Sequence, residues 1–213
     1  MDPQIQQLAT RLSDTLDSAL GARSWLQQPL LQLLAEGRPV TTGGLATATG
    51  RPEDEIRQAL VAMPDTEYDA DGRIIGAGLT LNPTPHRYET GGHTLYTWCA
   101  LDTLIFPAIL GTPARVTSPC HATGEPVRLT VEPDRVTSVE PATAVVSIVA
   151  PDAPTSVRAS FCNQVHFFAT PDAGKDWLEE HPGAAVLPVA DAHQLGRPLT
   201  EQLSAADTPT GCC

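Results

Sequence analysis

Thr66-Glu67-Tyr68-Asp69-Ala70-Asp71-Gly72-Arg73-Ile74-Ile75-Gly76 is the stretch where the hydrophobic period of the chain changes. Two short β-prone runs flank Asp71-Gly72, a strong turn signal for a hairpin. Everything before it has helical spacing. Leu8, Leu12, Leu16 and Leu20 recur every four residues with Ile5 ahead of them, one apolar stripe of an amphipathic helix that Gly21 would end. Ser24 can cap a second helix carrying Leu26, Leu30, Leu31, Leu33 and Leu34, stopped by Gly37 and Pro39, with Pro29 in the first turn or at a kink. Thr41 or Thr42 can cap a short helix through Ala48. Pro52 followed by Glu53, Asp54 and Glu55 suits the positive N-terminus of the next one, whose apolar face is Ile56, Ala59, Leu60 and Met63. Helices followed by a hairpin predict a winged-helix-like domain over residues 1–82. Only Arg51, Arg57 and Arg73 lie along its later helix and wing, against many acids, so it reads as a covering domain and not as a DNA reader.

Asn82-Pro83-Thr84-Pro85 marks the boundary. Beyond it the spacing predicts a hairpin, Arg87 to Glu89 and Thr94 to Trp98 around Gly91-Gly92, leading into a helix that Pro107 kinks and Gly111 closes. Short β-rich runs follow at 115–118, 127–131, 136–139 and 144–149, separated by Gly and Pro. The aromatic end of Ser156 to Phe168 predicts a buried strand, Pro171 to His181 a helix, and Val186 to Leu203 a last strand-helix pair. The fold class is therefore α+β: the helical winged-helix-like domain, then a mixed α/β domain over residues 83–203 with a mostly antiparallel sheet. Residues 204–213 are small and polar and read as a flexible tail ending in Gly211-Cys212-Cys213.

A formal charge of −12 and a pI near 4.7 argue against a nucleic-acid or anionic membrane partner. The N-terminal residues lack the basic and apolar regions of a secretory signal, and no apolar run reaches the roughly 20 residues of a membrane span, so a cytoplasmic location is expected. The five cysteines, Cys99, Cys120, Cys162, Cys212 and Cys213, are an odd set for a disulfide framework and read as thiols. No C-x-x-C occurs, and Cys120-His121-Ala122-Thr123-Gly124 has Thr where a zinc knuckle would place its second cysteine.

The chemistry concentrates in Tyr96-Thr97-Trp98-Cys99-Ala100-Leu101-Asp102-Thr103-Leu104-Ile105-Phe106-Pro107. If Cys99 opens a helix, a separation of three puts Cys99 and Asp102 on one face, about 5–6 Å apart at Cβ. Apolar neighbours push a carboxyl pKa upward, so that Asp102 can hold a proton near neutrality. The plainer alternative is a buried small hydrophobe beside a helix-end acid.

Together with Cys120-x-x-Thr123-Gly124 and Ser160-Phe161-Cys162-x-x-Val165-His166-Phe167-Phe168, this stretch resembles organomercurial lyase (alkylmercury lyase), with further likeness at Gly37-Arg38-Pro39-Val40 and from Thr66 to Leu81. The resemblance implies a non-DNA-binding winged-helix-like domain joined to an α+β catalytic domain, and a triad of Cys99, Asp102 and Cys162. These three would also ligate the mercury of substrate and product. It implies a structural role for Cys120. Many members carry a second thiol directly after the later catalytic cysteine, where this chain has Asn163.

The residue chemistry agrees. Mercury(II) is soft, so thiolates suit it far better than imidazole or carboxylate. A second thiolate raises electron density on the mercury-bound carbon until it can take a proton, which a carboxyl relay at Asp102 can carry from thiol to carbon. The products would be a hydrocarbon and bound Hg²⁺, with small cytosolic thiols as co-reactants and no organic cofactor or catalytic metal. Three alternatives use the same residues differently: a soft-metal (mercury or copper) thiolate module without turnover, a thiol regulator acting on DNA, and a Cys-His-Asp hydrolase using His93, His121 or His166. Cys212 and Cys213 resemble the C-terminal cysteine pair of mercuric reductase, and that resemblance implies a relay of Hg²⁺ toward that enzyme.

Overall fold

The computed structural model describes residues 24–150 and 156–205, together with residues 6, 8, 10–12 and 14. Leu8 and Leu12 of the leucine stripe are buried in helical backbone. Ile5, Leu16, Leu20 and Gly21 lie outside the described residues, as do Cys212 and Cys213.

The N-terminal segment is helical. Helix α1, Ser24–Ala35, buries Leu26, Leu30, Leu31 and Leu34 and contains Pro29 past its first turn. Thr41 caps α2, Thr42–Thr49, by accepting the Gly44 N–H at 3.0 Å, which satisfies one of the amides a helix start leaves free. Helix α3, Glu53–Val61, has Glu53, Asp54 and Glu55 in its first turn and buries Ile56, Ala59 and Leu60. Met63, expected on the same face, packs against the core from beyond the helix end. Arg51 pairs with Glu55, Arg57 with Glu53 and Asp54, and Arg73 with Asp69 and Asp71, so the few cations of this region are engaged by acids.

The hairpin is β1, Glu67–Tyr68, against β2, Ile74–Ala77. The chain reverses at Gly78 into β3, Leu79–Thr80; a Cβ there would sit 2.9 Å from Phe106 Cζ, and φ is +90°, so only glycine serves. A bridge between Val40 and Ile74 ties the helices to the hairpin.

Strand β3 then pairs with β5, so the hairpin is the edge of one antiparallel sheet that continues across residues 82–83. That sheet has the order β1-β2-β3-β5-β4-β6-β7-β8, with β4 at His86–Thr90, β5 at His93–Thr97, β6 at Ala114–Pro119, β7 at Pro126–Val131 and β8 at Val136–Glu140. Alternating burial along β4, β6 and β7 follows from the two-residue side-chain period of a sheet with one covered face. A smaller sheet, β10-β9-β11, places β9, Val145–Ile148, between β10, Phe167–Phe168, and β11, Ala185–Pro188. Helix α4, Ala100–Leu110, is buried on nearly every side, as its run of apolar residues requires. Between β9 and β10 lies the short helix α5, Val157–Ser160. Pro171 precedes a 3₁₀ turn at Asp172–Gly174 and then α6, Lys175–Glu180. The last helix, α7, runs Val189–Ala205, so Ser204 and Ala205, expected in the tail, are helical. It packs on α4 closely enough that a Cβ at Gly196 would collide with Ile105. No described helix is long and apolar enough to cross a membrane.

Candidate active site

Strand β5 ends at Thr97, and Trp98 carries the chain to Cys99, the N-cap of α4. Cys99 has extended backbone, and its sulfur accepts the N–H of Asp102 while an Asp102 carboxylate oxygen accepts the Cys99 N–H at 3.2 Å. This is a capping box in which a thiol replaces the usual hydroxyl. The local sequence thus fixes the thiol and carboxylate against each other through the ordinary need of a helix start to satisfy its amides.

Cys162 arrives from far along the chain, in a 3₁₀ turn, Cys162–Gln164, that follows α5. Two bonds seat this turn. Ala100 N–H donates to Val165 O at 3.1 Å, joining it to the first turn of α4, and Ser147 Oγ–H donates to Gln164 O at 2.9 Å, joining it to β9. As a result one ligand atom from each of Cys99, Asp102 and Cys162 lies within 4.8 Å of the others, the single such group of His, Cys, Asp or Glu among the described residues. Both thiols are free and buried, and Asp102 keeps a little exposed surface.

Burial dominates the electrostatics. Desolvation lifts the Asp102 carboxyl to about 7, against hydrogen bonds from the Cys99 thiol and amide that favour its anion. Desolvation also raises the Cys99 thiol well above its usual range, assisted by its hydrogen bond to Cys162. The single Cys99 S–H faces both the Asp102 carboxylate and the Cys162 sulfur, and turned toward Cys162 it favours that thiolate, yet burial and the carboxylates of Asp102 and Asp65 together hold the Cys162 pKa up, with Arg158 opposing them. At neutral pH the site therefore holds two protonated thiols beside a carboxyl midway through its titration, a proton acceptor within reach of an S–H.

A further ring of residues surrounds the pair. Arg158 in α5 lies 4.8 Å over the Trp98 ring and pairs with Glu67 in β1. Asp65 accepts Ser156 Oγ–H at 2.6 Å and the Arg158 N–H at 3.1 Å. None of these was singled out from the sequence. The sequence carries no local signal for the two acids: Asp65 and Glu67 read there as members of an acid-rich segment, and only the structure shows Glu67 half-buried beside an exposed Tyr68.

The other sequence candidates fall elsewhere. His93 is exposed in the β4–β5 hairpin. His121 and His166 stack on each other at 3.9 Å, and His86 bonds Ser118 Oγ at 2.8 Å in the interior. Burial, then the neighbouring imidazoles, pulls His166 to about 4 and His86 to about 3, which keeps both neutral at pH 7. No histidine among the described residues joins the thiol–carboxylate group. Asn163 is exposed beside Cys162.

Cys120 is buried in the turn between β6 and β7. Desolvation raises its thiol, but the Thr123 side chain and the amides of Ala169, Thr123 and Ala122 bond the sulfur and bring its pKa below the usual value. Cys120 N–H donates to Glu125 O at 2.6 Å and His121 N–H to Phe167 O at 2.8 Å, so the turn anchors β10 and the chain leading from Cys162. Cys120→Ala strips an acceptor from several buried donors, a loss of about 1–3 kcal/mol of stability. Thermal unfolding should register it, while cleavage per folded molecule stays near that of the parent; the reverse pattern would place Cys120 in the reaction.

Comparison with known proteins gives a consistent result over the whole chain. Residues 79–201 match the family model described as alkylmercury lyase, and residues 7–78 match that described as the helix-turn-helix domain of alkylmercury lyase. The chain is 73% identical over 215 aligned positions to an alkylmercury lyase of Streptomyces lividans, covering 100% of both. It is 51% identical to one of Bacillus cereus, covering 100% of this chain and 99% of that one. A crystal structure of the mercury-bound form of MerB2 superposes with a TM-score of 0.75 at 26% identity, covering 91% of this chain and 99% of the other.

Proposed function

This chain belongs to the alkylmercury lyase family and is a lyase that splits carbon–mercury bonds by protonolysis, and from that premise we propose that Cys99, Cys162 and Asp102 carry out the reaction. The observation that supports the assignment is the meeting of two buried thiols and a largely buried carboxylate within 4.8 Å.

The proton count closes on these three groups. The organomercurial arrives as R–Hg⁺ held by a small thiolate. One protein thiol transfers its proton to Asp102 and its sulfur displaces the small thiolate from mercury; the second protein thiol then bonds the metal as its proton leaves with the departing small thiol. Two sulfurs on mercury concentrate charge on the carbon, the C–Hg bond breaks heterolytically toward carbon, and Asp102 returns its proton to that carbon. The products are the hydrocarbon, one small thiol and Hg²⁺ on two thiolates. Two protons leave the protein thiols and two are delivered. A carboxyl titrating near 7 suits this exchange because it both accepts and releases a proton at working pH.

In the same reading, residues 1–82 cover the site and 83–203 contain it. Turnover needs reduced small thiols to take Hg²⁺ off the protein thiolates, which suits a cytoplasmic setting in which mercuric reductase is the next acceptor. The substrate is an organomercurial, alkyl or aryl. Incubation with a phenylmercury salt and excess small thiol should release benzene in step with protein-bound Hg²⁺. Metal binding with no benzene would leave a thiolate binding module in place of an enzyme.

A further inference from the structure

Two thiols carried by segments distant in sequence must be held at a fixed spacing, and one residue outside both segments bonds each of them. Glu67 Oε1 accepts the Trp98 Nε1–H at 2.9 Å and also pairs with the Arg158 guanidinium. Trp98 immediately precedes Cys99. Arg158 lies in α5, which leads directly into the turn of Cys162. The second oxygen of the same carboxylate accepts Thr80 Oγ1–H at 2.5 Å and Asn82 Nδ2–H at 2.8 Å. Glu67 is therefore fixed to β3 and the loop after it, and does not swing to follow either segment. Its side chain is 12% exposed and that of Arg158 35%, so the carboxylate end of the ion pair is withdrawn from solvent while the guanidinium is still partly screened. Asp65 adds a second hold on α5 through Ser156 and the Arg158 amide.

We propose that Glu67, supplied by the N-terminal hairpin, is a positioning residue that sets the separation of Cys99 and Cys162. The hairpin is then part of the catalytic apparatus and more than a cover. Preorganisation is the physical reason: two ligands held at the spacing of the product complex act at high effective concentration, and small losses of register are costly. The proposal rests on Cys99 and Cys162 being the reacting pair, so its test reads the thiols themselves and not the cleavage of mercurials.

The full-length protein is equilibrated with graded mixtures of glutathione and glutathione disulfide. Two protein thiols become one internal disulfide while one glutathione disulfide becomes two glutathiones, and the equilibrium constant is the effective concentration of the pair. Glu67→Gln keeps size but loses the charge that holds Arg158, and should lower this constant about tenfold. Trp98→Phe removes the indole donor while keeping a ring under Arg158, and should lower it less. The double variant should fall little below Glu67→Gln alone, because both act through one contact. Asp71→Asn, in the exposed turn of the same hairpin, should leave it unchanged. A Glu67→Gln protein with a lower melting temperature and an unchanged constant would make Glu67 a structural residue and overturn the proposal. If Glu67→Gln does not fold, Trp98→Phe decides: an unchanged constant overturns it. Failure of the parent protein to release benzene would sink the assigned chemistry and leave this constant measurable, so the two failures are distinguishable.

Discussion

Cys99→Ser and Cys162→Ser should each slow single-turnover release of benzene from phenylmercury by at least about 10³-fold, the equivalent of about 4 kcal/mol of barrier. Serine keeps the shape of the side chain and replaces a soft, ionisable sulfur with a hard oxygen that stays protonated near neutrality and bonds mercury poorly. The structure gives the two variants different controls. At position 99 the side chain caps α4 by accepting the Asp102 N–H, and serine is a better N-cap than cysteine. Cys99→Ser should therefore melt no lower than the parent while losing turnover, which separates the chemistry from the fold. At position 162 the sulfur accepts the Cys99 S–H, a bond that a serine oxygen retains. Each single variant should still take up one mercurial on its remaining thiol and hold it without cleavage. Parent-like turnover in either variant would end the two-thiolate mechanism.

The half of the site that sequence exposes most directly is the local half. Cys99 and Asp102 are three residues apart at a helix start, and the capping geometry that joins them is dictated by neighbouring amides, so spacing alone places both on one face. The rise of the Asp102 pKa also follows from its apolar surroundings, which are visible in the sequence. Cys162 is different. Nothing in its spacing connects it to Cys99, and only the resemblance to a family did so; the connection is made physically by Ala100 N–H to Val165 O and by the packing of the turn on β9. Such contacts depend on strand order, which local patterns do not encode.

Fold legibility divides the same way. The helices between residues 24 and 61, the Asp71-Gly72 hairpin and the strands between residues 114 and 149 occur where periodicity and turn residues indicate. The pairing of β3 with β5 is not readable, because the proline-rich stretch from Asn82 to Pro85 has the composition of a linker while the sheet passes beside it unbroken. Glu67 was hidden for that reason. Counted with its acidic neighbours, it spoke only against DNA; placed on the sheet edge, it faces Trp98 and Arg158.

Asp102→Asn should bind mercurials with both thiols and cleave them about 10²–10⁴-fold more slowly, the range removed with a general acid–base group. The amide oxygen can still accept the Cys99 N–H, so the cap survives, but it cannot take a proton from a thiol or give one to carbon. The pH profile makes the assignment specific. In the parent, the attacking thiol needs an ionised Asp102 to receive its proton, and that carboxyl titrates at about 7 while both thiols titrate above their usual range. Single-turnover cleavage should therefore rise from acid pH through about 7. In Asp102→Asn the rise near 7 should vanish, and the residual rate should climb only at the higher pH where the thiols ionise unaided. Stability moves in the opposite sense. A carboxyl whose folded pKa is raised contributes stability that is complete below its unfolded value and is lost as pH rises through about 7. Above pH 7 the asparagine variant, with no buried anion to desolvate, should melt at or above the parent. A variant that cleaves at the parent rate with the rise near pH 7 intact would remove Asp102 from the proton path.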